Sequence, residues 1–437
     1  MRLRLKILPL LLLAIILTVG YREWAFLLLL SHPGGFPSAL EALEKARELY
    51  PASPKPLVLE GEIYLSRGFY DYAEKVFSLA VEMGGGAEAL AGLGDALFAR
   101  GKKEEAVAAW LRALEIMPYD PTLHRKIGLA LFKEGKFHAA AFHLEEADDP
   151  CLLALALAPI NPAEAARLAE SCQGFEGLKS ILSIPDEPLR LRELGKLYVA
   201  MGEHGAAKVV LEESLAICPE SPEGWAFLGH ALSRLGLDPS QAFAKSLELD
   251  YTFALGHYFW GVHLLTQGDL EKGKRELLYA LSLEPSNPYF QAALAEVEIQ
   301  RGNYQEAEER LKKAVELAPE EPSFRLSLGE LQIAILMRSD KEALENIQKV
   351  IELSPAEPKA WELAGMAYYY AGQSALAEDY LKKALDLSPD SPRALYYLGL
   401  VYLLEGEKSK AQGIFRRIQE VAPASIWAQR AYWAERR

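Results

Sequence analysis

Histidine, cysteine and closely spaced carboxylates are the residues most able to do chemistry, and their spacing sets the first limits. The eight histidines include His138 and His143, five apart, and His257 and His263, six apart. Neither pair has the i, i+4 spacing that puts two metal ligands on one helix face, and no H-E-x-x-H occurs. The three cysteines, Cys151, Cys172 and Cys218, contain no C-x-x-C pair and cannot close a disulfide framework. Gly84-Gly85-Gly86 lacks the Lys-Ser/Thr that completes a phosphate loop and reads as a turn. No G-x-S-x-G nucleophile elbow is present. Glu104, Glu105, Glu308 and Glu309 fall on solvated helix faces. The expectation is a protein that is not an enzyme and has no metal or cofactor.

Composition narrows the class further. The chain has 437 residues, 50% hydrophobic and 25% charged, with a net charge of −14. That much apolar material excludes intrinsic disorder. A strongly acidic chain lacks the basic face that displaces counterions from a nucleic acid, so no nucleic-acid partner is expected. The length exceeds one compact core unless the architecture is modular.

Internal repetition supplies the modules. A helix-like run closes on proline at Pro51, Pro118, Pro219, Pro285, Pro319, Pro355, Pro389 and Pro423, and more weakly at Pro185. Gly85 and Tyr251 hold the same place in two more units. The dominant interval is 34 residues; the unit ending at Tyr251 is two shorter and the one ending at Pro355 two longer. A second marker keeps the same register: a glycine five residues before a small residue, as at Gly68/Ala73, Gly101/Ala106 and Gly372/Ala377. Glycine ends a helix in the left-handed conformation, and the small residue lets two antiparallel helices approach.

The residues Leu57, Gly61, Tyr64, Ala73, Phe77 and Ala80 in one unit carry a resemblance to the tetratricopeptide repeat family. So do Trp361, Gly365, Tyr368, Ala377, Leu381, Ala384 and Pro389, and again Leu395, Gly399, Tyr402, Ala411, Phe415 and Pro423. The resemblance covers residues 35 to 425 and implies an all-α fold. That fold is a right-handed superhelical α-solenoid of about ten to twelve helical hairpins. Trp110, Phe77, Leu211, Leu277, Leu311 and Leu381, all on second helices, are expected in its core. Repeats are expected over 38–152 and 186–423, with a degenerate repeat and candidate hinge at 153–185 and a capping helix at 424–437. Cys151 and Cys172, at the degenerate unit, read as buried thiols, with a disulfide as the alternative in an extracytoplasmic body.

The resemblance also implies that first helices line a concave groove. Inward positions then include Arg125, Arg192, Lys196, Tyr258, Tyr289, Lys359, Met366, Tyr369, Tyr370, Arg393 and Tyr396, which form the candidate partner-binding set. Arg192 and Lys196 lie at i, i+4, with Arg125 two units earlier. They suit an acidic side chain or a C-terminal carboxylate, or a local pair with groove glutamates. Tyrosine and arginine suit recognition surfaces, and equally inter-repeat packing. The family's carboxylate clamp needs an asparagine that the inward positions around Arg192 do not offer.

The N-terminus reads as a membrane element. Arg2, Arg4 and Lys6, within a basic cytoplasmic start at 1–6, precede an apolar stretch at 7–30 interrupted by Arg22, Glu23 and Trp24. A single-pass anchor is the first reading and a cleaved signal the second. The basic start places the body outside the cytoplasm in both. The expected function is a membrane-anchored scaffold that binds proteins or peptides in its groove, for assembly of a cell-envelope complex. A periplasmic carbohydrate- or lipid-handling binding module, and a regulatory subunit of a membrane enzyme, are the alternatives.

Overall fold

The computed structural model describes residues 36–436. The anchor or signal segment expected at 7–30 lies outside the described residues. Among the described residues no helix is long and apolar enough to cross a membrane. The described residues form 25 α-helices and one short π-helix, with no strand.

The chain divides into two units, Met1–Pro219 and Glu220–Arg437. In the first, a lone helix Phe36–Leu49 precedes three hairpins: Lys55–Ser66 with Tyr70–Glu82, Gly86–Ala99 with Lys103–Ile116, and Pro121–Lys133 with Phe137–Glu146. Three short helices follow, Pro150–Leu157, Pro162–Ala169 and Glu176–Leu182, and then the hairpin Glu187–Ala200 with His204–Ile217. The second unit holds six hairpins. They are Pro222–Arg234 with Ser240–Leu249, Ala254–Thr266 with Leu270–Leu283, Pro288–Gln300 with Tyr304–Leu317, Pro322–Gly329 and its π-helical continuation with Lys341–Leu353, Pro358–Tyr370 with Ser374–Leu387, and Pro392–Leu404 with Lys408–Val421. A last helix, Ile426–Ala434, closes it.

The sequence markers do the work assigned to them. Most first helices open on a capping side chain followed by proline: Asp120 accepts the amide protons of Thr122 and Leu123 ahead of Pro121, and Ser391 that of Ala394 ahead of Pro392, whereas Lys55–Ser66, Gly86–Ala99 and Ala254–Thr266 have no side-chain cap. The cap satisfies amides that have no helical partner, and proline there has no amide to lose. At the hairpin turn Gly101 takes a φ of 79°, which a side chain would disfavour. The small residue five further on, Ala106, is fully buried.

A further regularity ties each repeat to the last. His124, Arg190, His257, Arg325 and Trp361, each on a first helix, donate to the carbonyl six residues earlier, at Pro118, Ile184, Tyr251, Pro319 and Pro355. Four of those carbonyls belong to the closing positions that mark the repeat. Proline there ends the preceding helix, and its carbonyl, left without an intrahelical partner, is satisfied by the next helix.

The six residues expected in the core are buried, each at most 2% exposed. Five of the six face a glycine on the first helix: a Cβ on Gly94 would lie 2.4 Å from Trp110, and one on Gly61 2.8 Å from Phe77. The large ring on the second helix thus fills the space that glycine leaves on the first.

The degenerate segment is built differently from the reading as buried thiols. Cys151 and Cys172 are joined in a disulfide, with Cα atoms 5.7 Å apart. Helices Pro150–Leu157 and Pro162–Ala169 pack as a miniature hairpin that brings the two ends together. The flanking hairpins touch one another directly: Lys133 pairs with Glu203 at 3.0 Å, and Phe132 meets the edge of Tyr198. The buried Tyr198 hydroxyl donates to the Leu155 carbonyl at 2.6 Å.

Candidate binding site

The candidate residues fall into three settings. In the first unit, Arg125 donates to Asp149 at 2.8 Å, on the residue that caps helix Pro150–Leu157. Arg192 and Lys196 share Glu193, at 3.2 and 2.9 Å. The local-pair alternative for these cations is the one the structure contains. They are half-buried or exposed pairs, each worth about 1 kcal/mol or less in the presence of solvent.

In the middle of the second unit, Tyr258 stacks on the buried ring of Phe290 with centroids 5.0 Å apart, and burial pushes its hydroxyl above the ordinary tyrosine range. It is packing more than surface. Tyr289 is 52% exposed and leans on the edge of Phe324. Met366, expected to face the groove, is 1% exposed and belongs to the core between the last hairpins. Of the inward candidates on this helix, Met366 is the one packed into the core, where a flexible thioether fills irregular gaps.

The third setting brings candidates together. Helices Pro358–Tyr370, Pro392–Leu404 and Ile426–Ala434 place Tyr369, Tyr370, Tyr396, Tyr397 and Trp427 in one aromatic cluster. The Tyr370 and Tyr397 hydroxyls are 2.6 Å apart, so one donates to the other and a single hydroxyl proton is left over. Tyr369 meets Tyr397 at 5.5 Å, and Tyr396 meets Trp427 at 5.4 Å. Tyr397 is nearly buried, whereas Tyr369, Tyr370, Tyr396 and Trp427 remain partly open. Burial raises the hydroxyls of Tyr369, Tyr370 and Tyr397, so all are protonated donors at neutral pH.

Charges flank the cluster. Arg393 donates to Glu362 and also reaches Glu330, at 3.4 Å. Lys359 pairs with Glu330, and the Ser391 hydroxyl donates to Glu362 at 2.5 Å. Lys359 and Arg393 are thus each neutralised by a carboxylate one repeat earlier. Arg430 differs: it lies over the Trp427 ring at 4.8 Å and, among the described residues, has no carboxylate partner. Tyr397, Trp427 and Arg430 were not among the sequence candidates. Their signals were a second tyrosine beside Tyr396 and the aromatic and basic content of the cap.

Beneath Glu330 the first helix changes pitch. Residues Glu330–Ile335 form a π-helix, and Met337 turns left-handed at a φ of 54°. Gln332, fully buried, donates to Glu308 at 2.8 Å and accepts from Asn346 at 3.2 Å. Arg338 closes the network on Glu308, Asp340 and Glu342. This is the unit two residues longer than the rest: the wider turn and the extra loop absorb the insertion. Among the described residues no group of three metal-ligating side chains comes together.

Stacked antiparallel helical hairpins of near-constant length define the fold class of both units. Family profiles described as TPR repeat match residues 94–135, and others described as tetratricopeptide repeat match 193–221, 264–334, 341–392 and 362–426. The chain carries tetratricopeptide repeats in both units. Among solved structures it is similar to the APC/C hetero-tetramer Cut9-Hcn1, at 16% identity over 91% of this chain and 92% of that one, with a TM-score of 0.48. It is also similar to yeast Tom70, at 16% identity over 89% and 96% with a TM-score of 0.37. YrrB, described as a TPR protein with an unusual peptide-binding site, matches at 22% identity over 44% of this chain and 98% of that one, with a TM-score of 0.38.

Proposed function

We propose that the protein is a non-catalytic scaffold that binds protein or peptide partners along its first-helix faces. The observation that carries this reading is the partly open aromatic surface of the second unit. Tyr289, Tyr369, Tyr370 and Tyr396 keep area in solvent although the core beneath them is already closed. Large, stiff side chains with polar tips make such surfaces good contact sites. The test is affinity capture with the full chain and with Tyr289→Ser, whose side chain is exposed and whose loss leaves the core intact. A defined set of captured proteins, reduced severalfold by the substitution, supports the scaffold. Binding of glycans with no protein captured overturns it.

The finer part of the proposal is location: a chain anchored by the segment at 7–30, with its repeats outside the cytoplasm, serving assembly of a cell-envelope complex. The Cys151–Cys172 disulfide supports it, because such bonds persist in oxidising compartments. The basic start before the apolar run supports the same orientation. A reporter active only outside the cytoplasm, fused after Arg437, should be active; an inactive fusion reverses the assignment.

A further inference from the structure

The acidity of the chain is unevenly spread. Residues 392–437 hold eight basic and four acidic side chains, against a net charge of −14 for the whole. The last stretch of sequence thus carries a net positive charge on a negative protein, although Arg393 is paired with Glu330 and Glu362, Arg417 with Asp390 and Lys410 with Glu407. A local excess of positive charge of this kind steers acidic partners. Within that stretch lies Arg430, exposed and held over the Trp427 ring. Among the described residues it has no carboxylate partner, while Arg393 and Lys359 nearby are both neutralised.

We infer that the corner formed by Arg430, Trp427, Tyr396 and the Tyr370–Tyr397 hydroxyl pair is a docking site for an acidic peptide segment. It takes a Glu or Asp carboxylate together with a neighbouring apolar side chain. The inference rests on the scaffold reading and names the partner chemistry at one place on it. The guanidinium lies over the indole, 4.8 Å from the ring centroid, and its N–H donors have no carboxylate among the described residues, so a carboxylate of the peptide can take them. The hydroxyl pair uses one proton internally and keeps one to donate. Arg430 and Arg393 both act electrostatically on that pair, pulling Tyr370 and Tyr397 down against the rise caused by burial. Tyr396 and Trp427, both partly exposed and with ring centroids 5.4 Å apart, supply an aromatic wall for the apolar neighbour.

The competing occupant of a basic, aromatic surface is an anionic membrane. Trp433, 64% exposed, and Tyr432, with Arg436 over its ring, lie further along the same helix. The peptide is favoured because the hydroxyl pair and the Tyr396–Trp427 wall belong to contacts between helices, whereas a membrane needs only an outward face.

The experiment compares two pools of acetylated, amidated decapeptides that differ only in carrying Glu or Gln beside a central Phe. Binding is measured at low salt to the full chain, to Arg430→Gln and to Tyr370→Phe/Tyr397→Phe, with circular dichroism confirming each fold. The Glu pool should bind about tenfold more tightly than the Gln pool. That preference should vanish in Arg430→Gln and shrink in the double variant. Equal binding of the two pools, or a preference that survives Arg430→Gln, overturns the assignment. Loss on Arg430→Gln of binding to phosphatidylserine vesicles, with no pool preference, also overturns it, in favour of a lipid surface. Capture of proteins by Arg430→Gln at wild-type levels would leave the scaffold standing while removing this corner from it.

Discussion

At the scale of single residues, the cations of the second unit separate into two kinds. Arg393 is mostly buried and spans Glu362 and Glu330, so it holds two first helices in register. Removing it leaves Glu362, itself nearly buried, facing Ser391 alone. Arg393→Ala should cost about 3 kcal/mol, the order seen when one partner of a buried pair is deleted. Arg430→Gln should cost about 0.5–1 kcal/mol or less, since this exposed side chain gives up only its contact with the Trp427 ring. Urea unfolding of both variants measures the contrast, and equal losses would show that the two arginines share one role. Histidine offers a pH-dependent counterpart. The His124 Nε2–H donates to the Pro118 carbonyl, so its Nδ1 accepts from His143 Nδ1–H, at 3.1 Å. Burial, then the neighbouring His124, holds His143 below the ordinary histidine value, against the opposing effect of Glu146. The unfolded chain therefore takes up this proton first. Its contribution is complete above about pH 6.5 and is lost as pH falls from there through the lower folded value. The wild type should lose more stability between pH 7 and pH 5 than His143→Gln, as read by thermal melts at each pH. Identical pH profiles would remove the pair from the account.

At the scale of elements, the repeat markers were legible because each answers a local demand: a left-handed turn, a cap, a close helix crossing. What was not legible was which side chain on a first helix faces a neighbour and which faces water. Met366 and Tyr369 lie three apart in one inward reading, yet the thioether is core and the phenol is partly open. The difference arises from the packing of the next first helix. The ion partners were hidden for the same reason, although the spacing carried a clue. Asp95 with Lys126, and Glu362 with Arg393, are each 31 residues apart, close to one repeat. The two-residue excess in the unit ending at Pro355 was visible, but a count cannot tell a longer loop from a π-helical turn. The disulfide was also undecided by sequence, since two cysteines 21 apart give no hint of the miniature hairpin between them. Closing a loop of that length stabilises by about 3 kcal/mol in the chain-entropy picture. Cys151→Ser/Cys172→Ser should therefore melt several degrees lower, and a reducing agent should lower the wild type similarly while leaving the variant unmoved. If reduction shifts neither, the bond is absent from the native chain.

At the scale of the whole molecule, each hairpin hides its apolar side only against the next, so the outward faces of the first helices are left for partners. The most direct test puts a photoreactive phenylalanine analogue at Tyr289 and Tyr369 on first helices, and at Leu278 and Tyr304 on second helices, in the full chain in its own cells. All four sites are partly exposed, so reach to solvent does not decide the outcome. Crosslinks to one defined set of proteins from Tyr289 and Tyr369, and not from Leu278 and Tyr304, are the predicted result. Crosslinks only from the second-helix sites, or to no protein from any of the four, would contradict a scaffold that works through its first-helix faces.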